Sequence, residues 1–202
     1  MNQLYRQIIS ILLSIFLVGL IYYGSLLPFH KASIYIRARQ TEVNDIKQFN
    51  DLYDGILSTN SPVGQDELVS NYLDLISSLI NQEKGKEKPN LEIIKYLASN
   101  AEKWAEPIIE RGTGFSFSQI IYNYATINRD VALVLNDKKH YDKAVTLYQL
   151  GLKHSPDRQI FLYTLFDLYV LVGDKAGANL LGDRIIEVYD DNRVTEIISK
   201  MK

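Results

Sequence analysis

Residues 140–157 read HYDKAVTLYQLGLKHSPD, and residues 161–189 read FLYTLFDLYVLVGDKAGANLLGDRIIEVY. In both, apolar and small residues recur at intervals of three and four, the spacing of one face of an α-helix. The second stretch is interrupted at Gly173-Asp174 and reads as two helices joined by a tight turn. In the first, Ala144, Tyr148 and Gly151 share one face, and Pro156 closes the helix because it cannot continue the hydrogen-bond ladder. Shifting the chain by 34 residues aligns Ala144 with Ala178, Val131 with Leu165 and Leu135 with Tyr169. A period of that length is expected of stacked helical hairpins, none of which can bury its apolar face alone.

The same periodicity extends upstream. Ile36, Val43, Ile46, Phe49, Tyr53 and Ile56 mark a stripe on one helix expected over residues 32–58. Leu68, Tyr72, Leu75, Ile76 and Leu79 mark the next, with Asp66 and Glu67 placed to favour its N-terminal turn through the helix dipole. Ile94, Leu97, Ala98, Ala101, Ala105 and Ile108 mark a third, with Asn90 as N-cap and Pro107 expected to kink it or end it early. The stretch EKGKEKPN, residues 83–90, reads as a solvated connection because its charges alternate in sign. RGTGFS, residues 111–116, reads as an interhelix turn. No run of strand-like alternation appears.

Composition narrows the function classes. The chain has 202 residues, 22 Lys plus Arg against 24 Asp plus Glu, and no cysteine. The near-balance of charge lacks the basic surplus that binding to phosphates requires, so no nucleic acid is expected as a partner. Without cysteine there are no disulfides, no thiol chemistry and no cysteine-based metal centres.

From Ile8 to Leu27 the chain runs twenty residues without a charge, IISILLSIFLVGLIYYGSLL. As a helix this spans about 30 Å, the hydrocarbon thickness of a bilayer. Arg6 precedes it, and Lys31, Arg37 and Arg39 follow. Tyr22 and Tyr23 lie near its end, where aromatic rings favour the headgroup zone. A cleaved signal peptide would have a shorter core and small residues at the cleavage site, where Tyr22 is bulky. A buried core helix would interrupt the run with polar residues. A retained single-pass anchor in the cell membrane fits best. The positive-inside rule alone puts the large domain in the cytoplasm, but the charge bias is small and leaves the side open.

The repeat segments resemble the tetratricopeptide repeat. Ala144, Tyr148, Gly151 and Pro156 fall at that family's small, aromatic, small and proline positions. Leu165, Tyr169, Gly173 and Ala178 fall at the leucine, tyrosine, glycine and alanine positions of the following unit. Phe166, Gly182, Ile185 and Asp190 depart from the pattern, as in a degenerate or terminal unit. Residues 193–202 then read as a capping helix with Val194, Ile197, Ile198 and Met201 inward. The resemblance covers about residues 117–192. A looser resemblance of layout links one span, SPVGQDE (61–67), AEKWAEPIIERGTGFSF (101–117) and the hairpins to the C-terminal tail of O-antigen ligase-like or polymerase-like bacterial membrane proteins. The catalytic groups of that family lie in a multi-span core that these residues do not contain.

The expected fold is therefore all-α: a transmembrane anchor (1–30), a helical, degenerate repeat-like region (31–116), and a tetratricopeptide-like α-solenoid of antiparallel hairpins with a capping helix (117–202). His30, His140 and His154 have no metal-ligand spacing, and no Ser–His–acid order, G-x-S-x-G elbow, P-loop or H-E-x-x-H motif is present. No catalytic residue, metal or cofactor is expected. The resemblance implies a concave groove lined by the first helix of each hairpin, nominating Arg129, Leu133 and Asn136 from one unit and Tyr163, Asp167 and Val170 from the next. The implied partner is a protein, in an envelope or glycan-assembly system. The alternative is an accessory tail of a glycan transferase whose catalytic core is a separate segment.

Overall fold

The structure, a computed structural model, describes residues 3–41 and 45–201. Among the described residues all regular structure is helical. The chain divides into two compact units, Met1–Tyr72 and Leu73–Lys202.

In the first unit, α1 (Gln3–Ile21), a single wide π-turn (Tyr22–Leu26) and α2 (Leu27–Gln40) make one continuous helix. This rod of 38 residues is long and apolar enough to cross a membrane, with a mean hydropathy of 2.2 in its most apolar part and none of that part buried. Pro28 neither ends nor breaks it. The Leu27 N–H reaches back five residues to the Tyr22 carbonyl, and Pro28 enters just after this widened turn. A turn of that width relieves the clash that a proline ring makes with the preceding carbonyls.

The single helix expected over 32–58 is instead two. Alpha-2 stops at Gln40 with Thr41 extended, and α3 (Ile46–Leu57) starts afresh behind Asp45. The Asp45 carboxylate accepts the Gln48 N–H at 2.7 Å. That N-cap bond offers the backbone a local alternative to continuing the helix. Ile36 is consequently left exposed, and Val43 lies outside the described residues. The core of this unit is aromatic. The Tyr53 ring meets Tyr35 edge-on at 6.1 Å and stacks on Tyr72 at 5.3 Å. The Tyr72 hydroxyl donates to Asn50 Oδ1 at 2.7 Å, which satisfies the buried end of the ring.

In the second unit, α5 (Leu91–Arg111) is capped by Asn90, whose side chain accepts from the Glu92 and Ile93 N–H groups. All six expected apolar positions of α5 are buried. Pro107 does not end the helix early; α5 runs one further turn to Arg111. Pro107 lies on the exposed face, so the carbonyl that loses its donor there is available to water. The charged stretch after α4 (Gln65–Lys84) is only partly a solvated loop. Glu83 and Lys84 still belong to the helix, and Glu83 is buried. Glu83 accepts from Lys86 and from the Asn90 N–H, closing the connection as a staple. These two bonds hold its carboxyl below the usual carboxylate range.

Four helices follow: α6 (Phe117–Leu135), α7 (Lys138–His154), α8 (Gln159–Val172) and α9 (Lys175–Tyr189), then α10 (Asn192–Met201). Successive helices pack against one another. In α6 the residues Ile127, Asn128, Val131 and Ala132 are buried, and 34 positions later so are Phe161, Leu162, Leu165 and Phe166 of α8. Ala144, Tyr148 and Gly151 of α7 correspond in the same way to Ala178, Gly182 and Ile185 of α9, all buried. The turns do not keep this interval. Asn136-Asp137 and Gly173-Asp174 lie 37 residues apart. Both turns are left-handed at the first position, Asn136 with φ 51° and Gly173 with φ 76°. Both place an Asp as N-cap on the helix that follows. Val194 and Ile198 of α10 are buried and Ile197 and Met201 half-buried, as expected for a capping helix.

Candidate partner-binding surface

Alpha-6 and α8 are the first helices of their hairpins, and the six nominated residues lie on them or at their ends. Arg129 turns to its neighbour: its Nε and an Nη lie 3.1 and 2.9 Å from Asp130 Oδ1. Lys84 Nζ approaches the same oxygen at 3.2 Å. Asp130 is buried, and its Oδ2 finds no partner among the described residues. A buried carboxylate needs such cations, since it has lost its water. The guanidinium of Arg129 is thus held by the core of the hairpin.

Leu133 and Asn136 do come together. With Ala132, Tyr141 and Val172 they line an open cavity of about 530 Å³ at the end of the first hairpin. Asn136 has a second role here as the left-handed C-cap of α6, its N–H bonded to the Ala132 carbonyl region of the last turn. Leu133 is exposed.

Tyr163 and Asp167 share contacts from the C-terminal side, with Asp191 and Arg193. The Tyr163 hydroxyl donates to Asp191 Oδ2 at 2.7 Å, and the Asp191 Oδ1 accepts the Arg193 and Val194 N–H groups at the start of α10. The Tyr163 hydroxyl and these backbone N–H groups lower the Asp191 pKa from the ordinary value. Arg193 lies over the Tyr163 ring at 5.9 Å and reaches Asp167 at 3.9 Å. That exposed pair is worth little by itself. Val170 is half-buried on the same helix.

One polar cleft had no signal in the sequence. Tyr124, Asn128, His140, Lys143 and Glu102 border a space of about 260 Å³ between α5, α6 and α7. His140 Nδ1 is 2.9 Å from Asn128 Oδ1, and the Asn128 amide donates to the Tyr124 carbonyl at 2.9 Å. The Tyr124 hydroxyl donates to Glu106 at 3.1 Å, and Lys143 pairs with the same carboxylate. Glu102 and Glu106, Tyr124 and Asn128, and His140 and Lys143 are neighbours on α5, α6 and α7; the three pairs meet one another only through packing. Burial, reinforced by Glu106 and Glu102, drives the Tyr124 pKa far up. Burial does the same to Tyr148, whose hydroxyl lies 3.1 Å from that of Thr126. Both phenols stay protonated and act as hydrogen-bonding groups, not bases. Among the described residues no group of three or more His, Asp and Glu gathers as metal ligands.

Comparison with protein-family models, with curated proteins and with solved structures finds no match to this chain.

Proposed function

We propose that the chain is a single-pass, membrane-anchored scaffold of the tetratricopeptide type, which binds a protein partner and performs no chemistry of its own. The observation that carries this reading is the repetition of buried positions at an interval of 34 residues from α6–α7 to α8–α9, in a chain whose N-terminal rod leaves its most apolar part unburied. Stacked hairpins offer extended surfaces for recognition. A tether to the bilayer confines that surface near membrane partners and raises their effective concentration, so modest affinity suffices. The layout resemblance makes the partner a component of envelope or glycan assembly.

Two experiments test it. Removing residues 1–30 yields a soluble helical protein; a product that remains membrane-bound defeats the anchor assignment. Leu133→Asp and Asp167→Lys change exposed residues that the core does not use. Each is expected to reduce recovery of the partner from detergent extracts several-fold, and equal recovery of every partner removes the groove.

A further inference from the structure

The turn between α3 and α4 contains two exposed apolar residues, Pro62 and Val63, and these face the N-terminal rod within the same unit. Between them and Phe16, Gly19, Leu20 and Tyr23 lies an open groove of about 480 Å³. A methyl group added at Gly19 or at neighbouring Gly24 would meet nothing within 4 Å, so the floor of the groove is empty space. We propose that this turn is a second membrane contact, and that the groove takes the acyl chain of a bilayer lipid.

The inference rests on the anchor reading, and two features favour lipid as the occupant. One wall of the groove is the rod itself, in the C-terminal part of the uncharged stretch Ile8–Leu27. Any bilayer that surrounds the rod brings acyl chains to the mouth of the groove. Three carbonyls of the turn also find donors inside the protein, which lowers the cost of low-dielectric surroundings. The buried Lys31 ammonium donates to the Thr59 carbonyl at 2.7 Å and to the Gln65 side chain, pinning the turn to α2. The Ser61 hydroxyl donates to the Val63 carbonyl at 2.8 Å. The Gly64 carbonyl accepts the Leu68 N–H, and Gly64 itself takes φ 83° to close the bend. Pro62 has no N–H to satisfy. Val63 borders the rod from Phe16 to Gly24 in this groove and Pro28 and Lys31 beyond it, which sets the turn toward the headgroup boundary that suits Tyr22 and Tyr23.

The chain has no cysteine, so one introduced cysteine carries one nitroxide label. Val63→Cys is compared with Leu13→Cys on the rod and Leu180→Cys on α9; all three sites are exposed. The purified full chain is reconstituted, highly diluted, in phosphatidylcholine vesicles. Collisions with oxygen, which concentrates in hydrocarbon, are compared with collisions with a water-soluble nickel chelate. The expected oxygen-to-nickel ratio at 63 is several-fold above that at 180 and below that at 13. A label at 63 that behaves like the one at 180, with 13 remaining lipid-like, overturns the inference and leaves the anchor standing. A water-like label at 13 removes the anchor and this inference with it. A lipid-like signal at 63 only at high protein-to-lipid ratio assigns the groove to a second copy and also overturns it. Pro62→Cys repeats the reading if Val63→Cys disturbs the turn.

Discussion

The two hairpins share most of their buried positions and fill them differently. Alpha-6 buries Asn123, Thr126, Asn128 and Asp130 along with its apolar residues, whereas every buried residue of α8 is apolar or aromatic. Asp130 in the first hairpin corresponds to the half-buried Thr164 in the second, which merely bonds back to the Ile160 carbonyl. Both arrangements keep the interval of 34, so the register is set by which faces are covered and not by what fills them. The turns moved by three residues without disturbing it. A turn needs only a left-handed residue and a following cap, which Asn136-Asp137 and Gly173-Asp174 both supply.

The most severe way to break this comparison is to remove the charge from the polar hairpin. Asp130→Ala leaves Arg129 and Lys84 without their anion, and is expected to cost about 2–4 kcal/mol, toward the lower end because both cations can reach water. Thr164→Ala at the equivalent position changes stability by no more than about 0.5 kcal/mol. Chemical denaturation followed by circular dichroism reads both, and equal losses at the two sites would erase the distinction between the hairpins.

A smaller effect sharpens the comparison of the second helices. A Cβ on Gly151 would lie 2.4 Å from the ring of Phe161, which is fully buried and cannot step aside. Gly151→Ala is expected to lose about 1–2 kcal/mol after its gain in helix propensity. A Cβ on Gly182 meets chiefly the terminal methyl of Ile198, at 2.0 Å, which can rotate away. Gly182→Ala is therefore expected to cost less than Gly151→Ala in the same denaturation series; the reverse order would mean that α10 is the more rigid neighbour.

The smallest effect concerns the closing helix and depends on pH. The folded pKa of Asp191 is below its unfolded value, because Tyr163 and two backbone N–H groups bind the anion. The stabilisation is therefore present above the unfolded carboxylate pKa, near 4, and is lost as pH falls through the lower folded value. Asp191→Ala is expected to lower the melting temperature modestly at neutral pH, and its deficit relative to the parent chain should shrink below pH 4. A deficit unchanged with acidification would show that the anionic cap contributes nothing.

Much of the fold was legible in the residues. The stripe on α5, its Asn90 cap, the inward face of α10 and the 34-residue register all follow from spacing, because a helix face repeats every three to four residues whatever surrounds it. Other readings failed for local reasons. The 32–58 helix was split by the carboxylate of Asp45, a single side chain whose bond to Gln48 outweighed an unbroken apolar pattern. Pro107 was tolerated because the face it occupies is wet. Glu83 looked like part of a solvated charge run, but it is buried because Asn90 folds back onto it. The nominated surface was legible only as positions. Spacing placed Arg129 and Leu133 on α6, yet Arg129 faces Asp130 while Leu133 and Asn136 border a cavity with Tyr141 and Val172.

By itself the sequence determined which segments are helices, which faces are apolar, and that one N-terminal stretch is long and apolar enough to span a bilayer. Those properties depend on residues close in the chain, through backbone geometry and the transfer of apolar surface from water. Only the tertiary structure decided which polar groups meet: Lys31 at Thr59 and Gln65, Lys84 at Asp130, Lys143 at Glu106, Tyr163 at Asp191. Their partners lie 28, 34, 46, 37 and 28 residues away. No local periodicity encodes such pairs, because the distance between two side chains on different helices is set by how the apolar faces between them pack.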